Sequence, residues 1–246
     1  MQDEVIKRYA KLSQRAAERG IYTETPFLTE GEMSALAMEK MPLRPRFFGG
    51  YDEAERCLAV FGSADDFGYE WENPIRILKI SPKMQKYADA LTHRDFLGAL
   101  LNLGIKREML GDILISENVA YLFILEKMAS FVMENLTRVR HTDVNVSLCE
   151  VLPQGIGANF EEKMVIAASP RADALVAAVF DLSRSEGKAL VEKERVSLSG
   201  VLLSDPAREI GKGAKVSVRG YGKFYFDGAV GETRSGRCRM KIRLFV

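Results

Sequence analysis

Residues 182–191, Leu-Ser-Arg-Ser-Glu-Gly-Lys-Ala-Leu-Val, have the pattern of a short capped helix in the last third of the chain. Ser183 and Glu186 have the spacing of a capping box, in which each side chain bonds the backbone N–H of the other residue. Arg184 and Lys188 are four residues apart and lie on one face of this helix. Because a helix N-terminus beside cations suits a phosphate, the stretch predicts both a helix and a polyanion contact.

A regular succession of elements surrounds this helix. Apolar residues at 174, 175, 178 and 179 predict a first short helix upstream. Downstream, Lys193 and Arg195 occupy a turn, residues 196–203 predict a β-hairpin, and residues 211–220 predict a turn and another strand. The C-terminal region, residues 169–246, is therefore expected to be a small α+β domain.

The final segment, residues 237–244, alternates strictly between cations and apolar residues. As a strand it would place Cys238, Met240, Ile242 and Leu244 on the core side and four cations on the other. Such a row is costly unless acids or a polyanion face it, although a solvated edge that blocks aggregation is the alternative. The alternation alone leaves both alternatives open.

Positive charge is concentrated at the C-terminal end. Residues 1–169 hold 20 Lys and Arg against 25 Asp and Glu, whereas residues 170–246 hold 15 against 9. The formal net charge of the whole chain is only +1. This asymmetry favours a polyanion as the partner of the basic end, with a solvated basic surface as the alternative.

Residues 1–72 predict a helical N-terminal region. Apolar residues recur at helical spacing from Val5 to Ala16. Thr29 and Glu32 have capping-box spacing and predict a second helix through about Met41. The cation-aromatic segment 44–51 could contact RNA, but the acids that follow it favour a structural loop.

Residues 73–160 predict a central domain with the order β-α-β-β-α-β, which ferredoxin-like and RRM domains share. RRM domains stack bases on aromatic residues of the sheet. Tyr121 and Phe123 share one face of the third strand, but their flanks do not match the RRM consensus, so core packing is the favoured role. The predicted fold class is α+β.

Several protein classes are disfavoured by composition. No apolar run approaches the roughly 18 residues of a membrane span, and the N-terminus lacks an apolar signal core. Three widely spaced cysteines and two histidines predict no disulfide set and no metal site. We expect a cytoplasmic protein without a cofactor.

The C-terminal motifs resemble the ribosomal-protein-S-four-like RNA-binding domain, called the S-four domain below. The matching segments are Arg171-x-Asp173, Ser183-Arg184-Ser185, residues 196–200 and residues 216–220. The sequence departs from that pattern at Glu194, where Gly is usual, at Ser199, where Asn is common, and at Ala214, where Asp is usual.

Most of the chain resembles the YlmH family of bacterial and plastid S-four-domain proteins. The resemblance is carried by residues 48–56 (FGGYDEAER), residues 93–107 (HRDFLGALLNLGIKR) with Gly111-Asp112, and residues 219–224 (RGYGKF). It implies ribosomal RNA and the large subunit carrying peptidyl-tRNA as partners, contact with tRNA, and a role in nascent-chain quality control. We expect a monomer that has no membrane partner.

The residues expected to contact RNA are cations and one serine of the C-terminal domain: Arg171, Arg184, Ser185, Lys188, Lys193, Arg195, Arg219, Lys223, Arg237, Arg239, Lys241 and Arg243. Secondary contacts are expected from five cations of the first two regions: Arg44, Arg46, Arg94, Lys106 and Arg107.

Two alternative functions stay open. S-four domains also accompany RNA-modifying enzymes, but Arg94-Asp95 is followed by a helix rather than by the polar residues of a pseudouridine synthase. No kinase, methyltransferase or synthetase signature accompanies it, so no catalytic residue is predicted. The other alternative is a ribosome-linked adaptor whose acidic first two regions bind a protein partner.

Overall fold

The protein is described by a computed structural model covering residues 2–157, 159–234 and 236–246. Helices and antiparallel sheets alternate along the chain, which confirms the predicted α+β class. The chain divides into two compact units, Met1–Gly157 and Ala158–Val246. The division falls directly after Gly157, in a stretch that also contains Gly155. Among the described residues, no helix combines the length and apolar character of a membrane span.

The N-terminal region, predicted to be helical, contains a three-stranded sheet as well as three helices, and the two longer helices pack on this sheet. Ile6, Tyr9 and Ala16 bury the apolar face of α1 against this sheet. The strands have the spatial order β1-β3-β2. The elements are α1 (Gln2–Arg19), β1 (Thr23–Glu24), α2 (Glu30–Met38), β2 (Pro45–Phe48), β3 (Leu58–Phe61) and α3 (Ala64–Phe67).

The predicted capping box at the start of α2 is confirmed. The backbone N–H of Thr29 donates to Glu32 Oε2 at 2.8 Å, and the N–H of Glu32 donates to Thr29 Oγ1 at 3.3 Å. The predicted end near Met41 is wrong, because Glu39 is already extended at φ −69° and ψ 145°. Pro42 disfavours the helical conformation of Met41, directly before it, so it excludes the predicted end at Met41 but does not set the end at Met38.

The central elements follow the predicted β-α-β-β-α-β order, with one additional two-residue strand, Arg138–Val139, before the last strand. The strands have the spatial order β5-β6-β4-β8-β7 and pair antiparallel. Phe96 and Leu100 of α4 and Val132 of α5 pack on one face of this sheet. The elements are β4 (Ile75–Pro82), α4 (His93–Asn102), β5 (Leu110–Ser116), β6 (Val119–Leu125), α5 (Glu126–Asn135), β7 (Arg138–Val139) and β8 (Thr142–Cys149). The 3-10 turns Gln85–Tyr87 and Arg107–Met109 lie between them.

The N-terminal region covers the other face of this sheet. Phe123 is fully buried and shares a core with Phe27 and Leu58. Gly50, at φ +99°, approaches so closely that a Cβ added there would lie 2.5 Å from the Phe123 ring. The face on which RRM domains stack bases is therefore filled by protein around Phe123, and the prediction of core packing for Tyr121 and Phe123 is confirmed.

The C-terminal unit is a six-stranded antiparallel sheet with two helices packed on it. The strand order is β11-β10-β12-β13-β14-β9. The helices cross closely where Gly187 faces the backbone of Asp173, because a Cβ at Gly187 would overlap the Asp173 carbonyl oxygen. The elements are β9 (Phe160–Ala167), α6 (Ala172–Val179), α7 (Arg184–Glu192), β10 (Val196–Leu198), β11 (Val201–Leu202), β12 (Ala214–Val218), β13 (Gly222–Glu232) and β14 (Cys238–Phe245).

Strand β9 lies outside the C-terminal domain predicted as 169–246, yet it pairs with β14 along its whole length. Val165 and Ala167 contribute to the core of the C-terminal unit, whereas Met164 and Ile166 face outward and are exposed. This alternation is the pattern of a half-buried strand. The C-terminal sheet therefore begins at Phe160.

Candidate nucleic-acid interface

An open cleft of about 770 Å³ lies in the C-terminal unit, between the end of α7 and the turn that joins β12 to β13. Four of the cations predicted to contact RNA line it: Lys193, Arg195, Arg219 and Lys223. These residues come from two separate segments of the sequence, 193–195 and 219–223, so the fold gathers their charges at one place.

Local backbone geometry positions these cations. Lys193 is the C-cap of α7, and Glu194 turns the chain with a left-handed φ of +52°. The N–H of Arg195 then donates to the Leu190 carbonyl oxygen at 2.9 Å. Arg195 is fixed against Arg219 in both directions: the Arg219 N–H donates to the Arg195 carbonyl oxygen at 2.8 Å, and Arg195 Nη2 donates to the Arg219 carbonyl oxygen at 3.0 Å.

The cleft has cations available for an anion. Among the residues that the structure describes, Lys193, Arg195 and Arg219 form no ion pair, and all three are exposed. Glu194 is the one acid in the described lining. Exposed, unneutralised cations that converge on a cleft favour phosphate binding.

Tyr221 adds an aromatic ring to the lining, and the predicted set of RNA contacts omits it. Its side chain is 47% exposed and its ring centroid lies 5.7 Å from that of Phe180. Gly220 and Gly222 on either side have φ of +90° and +143°, so they allow the sharp turn that presents the ring. In the sequence, the Gly-Tyr-Gly triplet indicates an aromatic residue presented by a turn, and it could have added Tyr221 to the predicted contacts. An exposed ring beside cations can stack on a base.

Arg171 and Arg184 form a second group, held by the buried Asp173. Arg171 Nε and Nη2 each donate to the Asp173 carboxylate at 3.2 Å, and Arg184 Nε lies 3.4 Å from Oδ2. The Asp173 side chain is 4% exposed, whereas those of the two arginines are 37% and 57% exposed. Asp173 therefore orients two guanidinium groups whose outer N–H groups stay accessible.

The helix α7 forms as predicted, with its capping box at Ser183 and Glu186. The hydroxyl of Ser185 lies 3.0 Å from that of Ser183. Lys188 pairs with Glu192 at 3.4 Å, and both side chains are more than half exposed. Since exposed pairs of this kind contribute only about 0–1 kcal/mol, Lys188 can exchange its partner for a phosphate.

The final strand has the predicted alternation, with Met240 and Ile242 buried in the core. Its cations differ in their surroundings. Lys241 pairs with Glu162 at 2.8 Å, and Arg243 pairs with Asp227 at 3.1 Å. The Arg243 guanidinium also lies over the rings of Phe160 and Tyr225, at 5.2 and 4.8 Å. Acids of neighbouring strands thus neutralise part of the row, which favours a structural role for Lys241 and Arg243.

The remaining two cations of that row have different environments. Arg237 Nη2 donates to the Ile166 carbonyl oxygen at 3.2 Å, and Arg237 and Arg184 line one shallow groove. Arg239 is exposed and forms no ion pair among the described residues. RNA contact by this row stays a prediction, which these two residues support best.

The five predicted secondary contacts do not come together. Arg107 is half-buried and donates to the carbonyl oxygens of Leu110 and Gly111, at 2.8 and 3.2 Å. Burial, with the nearby Arg56, lowers its pKa to about 10. Arg46 donates to the Gly62 carbonyl oxygen at 3.2 Å. The other three, Arg44, Arg94 and Lys106, are exposed.

The motif residues of the first two regions meet in a polar network inside the N-terminal unit. Asp112 Oδ2 accepts from the Tyr51 hydroxyl at 2.9 Å and from the Glu55 N–H at 2.6 Å. Burial raises the pKa of Asp112, although these hydrogen bonds oppose the rise. Arg56 donates to the carbonyl oxygens of Leu110 and Phe27, each at 3.0 Å. These residues therefore join the N-terminal region to the central sheet.

The chain is similar to a family model, to a relative of known sequence and to a solved structure. Residues 71–152 match the family model described as "Putative RNA-binding domain in YlmH". The chain is 29% identical over 198 residues to "Ribosome-associated protein quality control protein P2" of Bacillus subtilis (strain 168), covering 79% of this chain and 75% of that protein. It also resembles the solved structure of "Cell division protein ylmH from Streptococcus pneumoniae" at 20% identity and a TM-score of 0.49, covering 61% of this chain and 92% of that chain. A likeness as distant as this last one has no bearing on function.

The structure is that of an α+β protein with a basic cleft in its second unit, and a segment of its first unit matches the family model. The chain is thus similar to YlmH proteins in this segment and to the Bacillus subtilis relative over most of its length, which agrees with the resemblance predicted from its sequence.

Proposed function

We propose that the chain is a non-enzymatic protein that binds ribosomal RNA through its C-terminal basic cleft. It docks on the large ribosomal subunit carrying peptidyl-tRNA, in ribosome-associated quality control in the cytoplasm. The observation that carries this proposal is the cleft itself, where Lys193, Arg195 and Arg219 converge without ion-pair partners among the described residues.

The cleft suits the backbone of a folded RNA. Helical RNA is recognised mostly through its shape and its phosphates, because its deep major groove excludes side chains. The bidentate guanidinium groups of Arg195 and Arg219 match phosphate geometry. Tyr221 beside them suits an unpaired base at the end of such a helix. The oriented pair Arg171 and Arg184 would add contacts along the same strand.

The biological setting comes from the relatives. The similar protein of Bacillus subtilis is named for ribosome-associated quality control, and the alignment spans most of both chains. The charge asymmetry supports the same assignment, since the unit outside the matched RNA-binding segment is the basic one.

The first alternative, an RNA-modifying enzyme, has Asp95 as its best catalytic candidate, and this carboxylate is already engaged. Asp95 Oδ2 accepts from the Thr92 N–H at 2.8 Å and from the Thr92 hydroxyl at 2.7 Å. These hydrogen bonds lower the Asp95 pKa. The geometry is that of a helix cap, which supports a binding role for the chain rather than catalysis.

Co-sedimentation with purified ribosomal subunits across a salt series tests the proposal. The intact chain is compared with Arg195→Gln/Arg219→Gln and with the control Arg208→Gln/Lys212→Gln, which removes equal charge from exposed positions outside the cleft lining. We expect large-subunit binding to fall on the order of tenfold in the cleft variant, with a shallower dependence on salt, because two phosphate contacts are lost.

The control variant is expected to bind as the intact chain does. Equal losses in both variants would mean that binding follows net charge rather than the cleft. Binding that ignores salt and both variants would overturn the proposal and favour the adaptor alternative.

A further inference from the structure

A second basic surface lies in the N-terminal unit, on the side of the central sheet that carries the helices. It is a groove of about 520 Å³ between α4 and the segment that runs from the end of α5 through β7. Arg94, Arg138 and Arg140 line it together with the side-chain amides of Asn102 and Asn135. The sequence analysis singles out Arg94 but not Arg138 or Arg140, which are 44 and 46 residues further along the chain.

The arginines of this groove are available to an anion. Arg94 is exposed and forms no ion pair within the described parts of the chain. Arg138 pairs with Asp143 at 2.9 Å, but the two side chains are 62% and 56% exposed. A pair this exposed contributes about 0–1 kcal/mol and is readily exchanged.

Arg140 is held only loosely by an acid. Its Nε lies 3.7 Å from Asp95 Oδ1, and the other carboxylate oxygen of Asp95 already accepts two hydrogen bonds from Thr92. The floor of the groove is open at Gly98, where an added Cβ would meet no atom within 4 Å. The groove thus combines space, net positive charge and amide donors.

The backbone at Arg140 supports a role beyond folding. Arg140 lies in the two-residue turn between β7 and β8 with a left-handed φ of +52°. Gly or Asn suits such a position better, and a long side chain there costs stability. The arginine is therefore the less stable choice for the turn, and what it adds is a guanidinium group at the groove.

The opposite face of the same sheet is open at Lys79, Asn145 and Ser147 but closed around Phe123. Phe123, Ile75 and Leu125 are buried against Phe27 and Leu58, so bases cannot stack there as they do on an open RRM sheet. Residues 71–152 nevertheless match an RNA-binding family model. The helix side of the same segment carries the groove and its three arginines.

We infer that the groove lined by Arg94, Arg138 and Arg140 binds the phosphodiester backbone of RNA, as a second contact independent of the C-terminal cleft. The inference goes beyond the proposed function, which depends on the cleft alone. Each arginine can donate two parallel hydrogen bonds to a phosphate, and the two asparagine amides can donate to sugar or phosphate oxygens.

Fluorescence anisotropy with a labelled 20-base-pair RNA duplex tests the inference on the full-length chain. The test variant is Arg94→Gln/Arg140→Asn, in which asparagine suits the left-handed turn and so preserves the fold. The matched control is Lys83→Gln/Lys127→Gln, which removes the same charge from two exposed positions outside the groove lining. Each pair is made in the intact chain and in the Arg195→Gln/Arg219→Gln background.

In both backgrounds we expect the test variant to bind the duplex about tenfold more weakly than its parent, with the slope of log affinity against log salt reduced by about two. The control should match its parent, and thermal unfolding of the test variant should be unchanged or higher. Unchanged duplex affinity in the folded test variant would overturn the inference. The inference would also be overturned if the intact chain bound polyglutamate more tightly than the duplex and the test variant lost that binding, because the partner would then be an acidic peptide.

The two proposals fail separately. If Arg195→Gln/Arg219→Gln leaves duplex binding unchanged while Arg94→Gln/Arg140→Asn weakens it, the cleft proposal fails and the groove stands. The opposite pattern removes the groove and leaves the cleft.

Discussion

Glu194 offers a substitution that should raise both the stability of the protein and its affinity for RNA. It occupies a left-handed backbone position, at φ +52°, where the S-four pattern usually has glycine. Its carboxylate also lies in the lining of the cleft beside Lys193 and Arg195. Glu194→Gly removes both the backbone strain and the negative charge.

The expected magnitudes follow from these two effects. A left-handed conformation costs a non-glycine residue about 1–2 kcal/mol, and the greater freedom of glycine in the unfolded chain returns roughly 0.5–1 kcal/mol. The free energy of unfolding should therefore rise by about 0.5–1 kcal/mol. A carboxylate roughly 6 Å from a bound phosphate repels it by about 0.7 kcal/mol in water, so RNA should bind about threefold more tightly.

Glu194→Gln separates the two effects, because it removes the charge and keeps the strain. Urea unfolding should show a gain for the glycine variant alone, whereas anisotropy with an RNA duplex should show tighter binding for both variants. A less stable glycine variant would contradict the left-handed geometry at this residue. Unchanged affinity in both variants would show that RNA does not occupy the cleft.

Three other substitutions test the rest of the structure. Asp173→Asn should weaken RNA binding and lower the free energy of unfolding by about 1–3 kcal/mol, because two arginines lose a buried charged acceptor; wild-type values in filter binding and urea unfolding would contradict this. Gly50→Ala should destabilise by about 2–4 kcal/mol in calorimetry, since the new methyl group meets the Phe123 ring at a left-handed position. The raised pKa of Asp112 means that its protonated form favours folding. The free energy of unfolding of the wild type, relative to that of Asp112→Asn, should therefore fall as pH rises from about 3.8 through the folded-state pKa and then level off. A rise over that pH range in urea titrations would refute the assignment.

Much of the fold is predictable because local patterns and tertiary packing agree. The capping boxes at Thr29 and Ser183 and the apolar stripe of α1 each specify an element without distant contacts. Strand β9 was missed because its first residues, Phe160-Glu161-Glu162-Lys163, do not alternate. Its strand conformation depends on pairing with β14, which is about 80 residues away in sequence.

The candidate site was predicted less well than the fold, because net charge along the sequence does not reveal which cations meet an acid. Arg195 and Arg243 look alike in the sequence. In the structure, Arg195 lies in the open cleft, whereas Arg243 pairs with Asp227 and packs on two aromatic rings. The departure at Glu194 became interpretable only once its positive φ was known.

Site-specific photo-crosslinking on large ribosomal subunits carrying peptidyl-tRNA tests the central claim most directly. A benzophenone amino acid replaces Tyr221 in the cleft or, as control, Tyr69 in the N-terminal unit, a residue of the same type with the same 47% exposure. We predict crosslinks to ribosomal RNA from position 221 that disappear in the Arg195→Gln/Arg219→Gln background. Crosslinks from position 221 to ribosomal proteins alone, or RNA crosslinks that persist in that background, would contradict docking through the cleft.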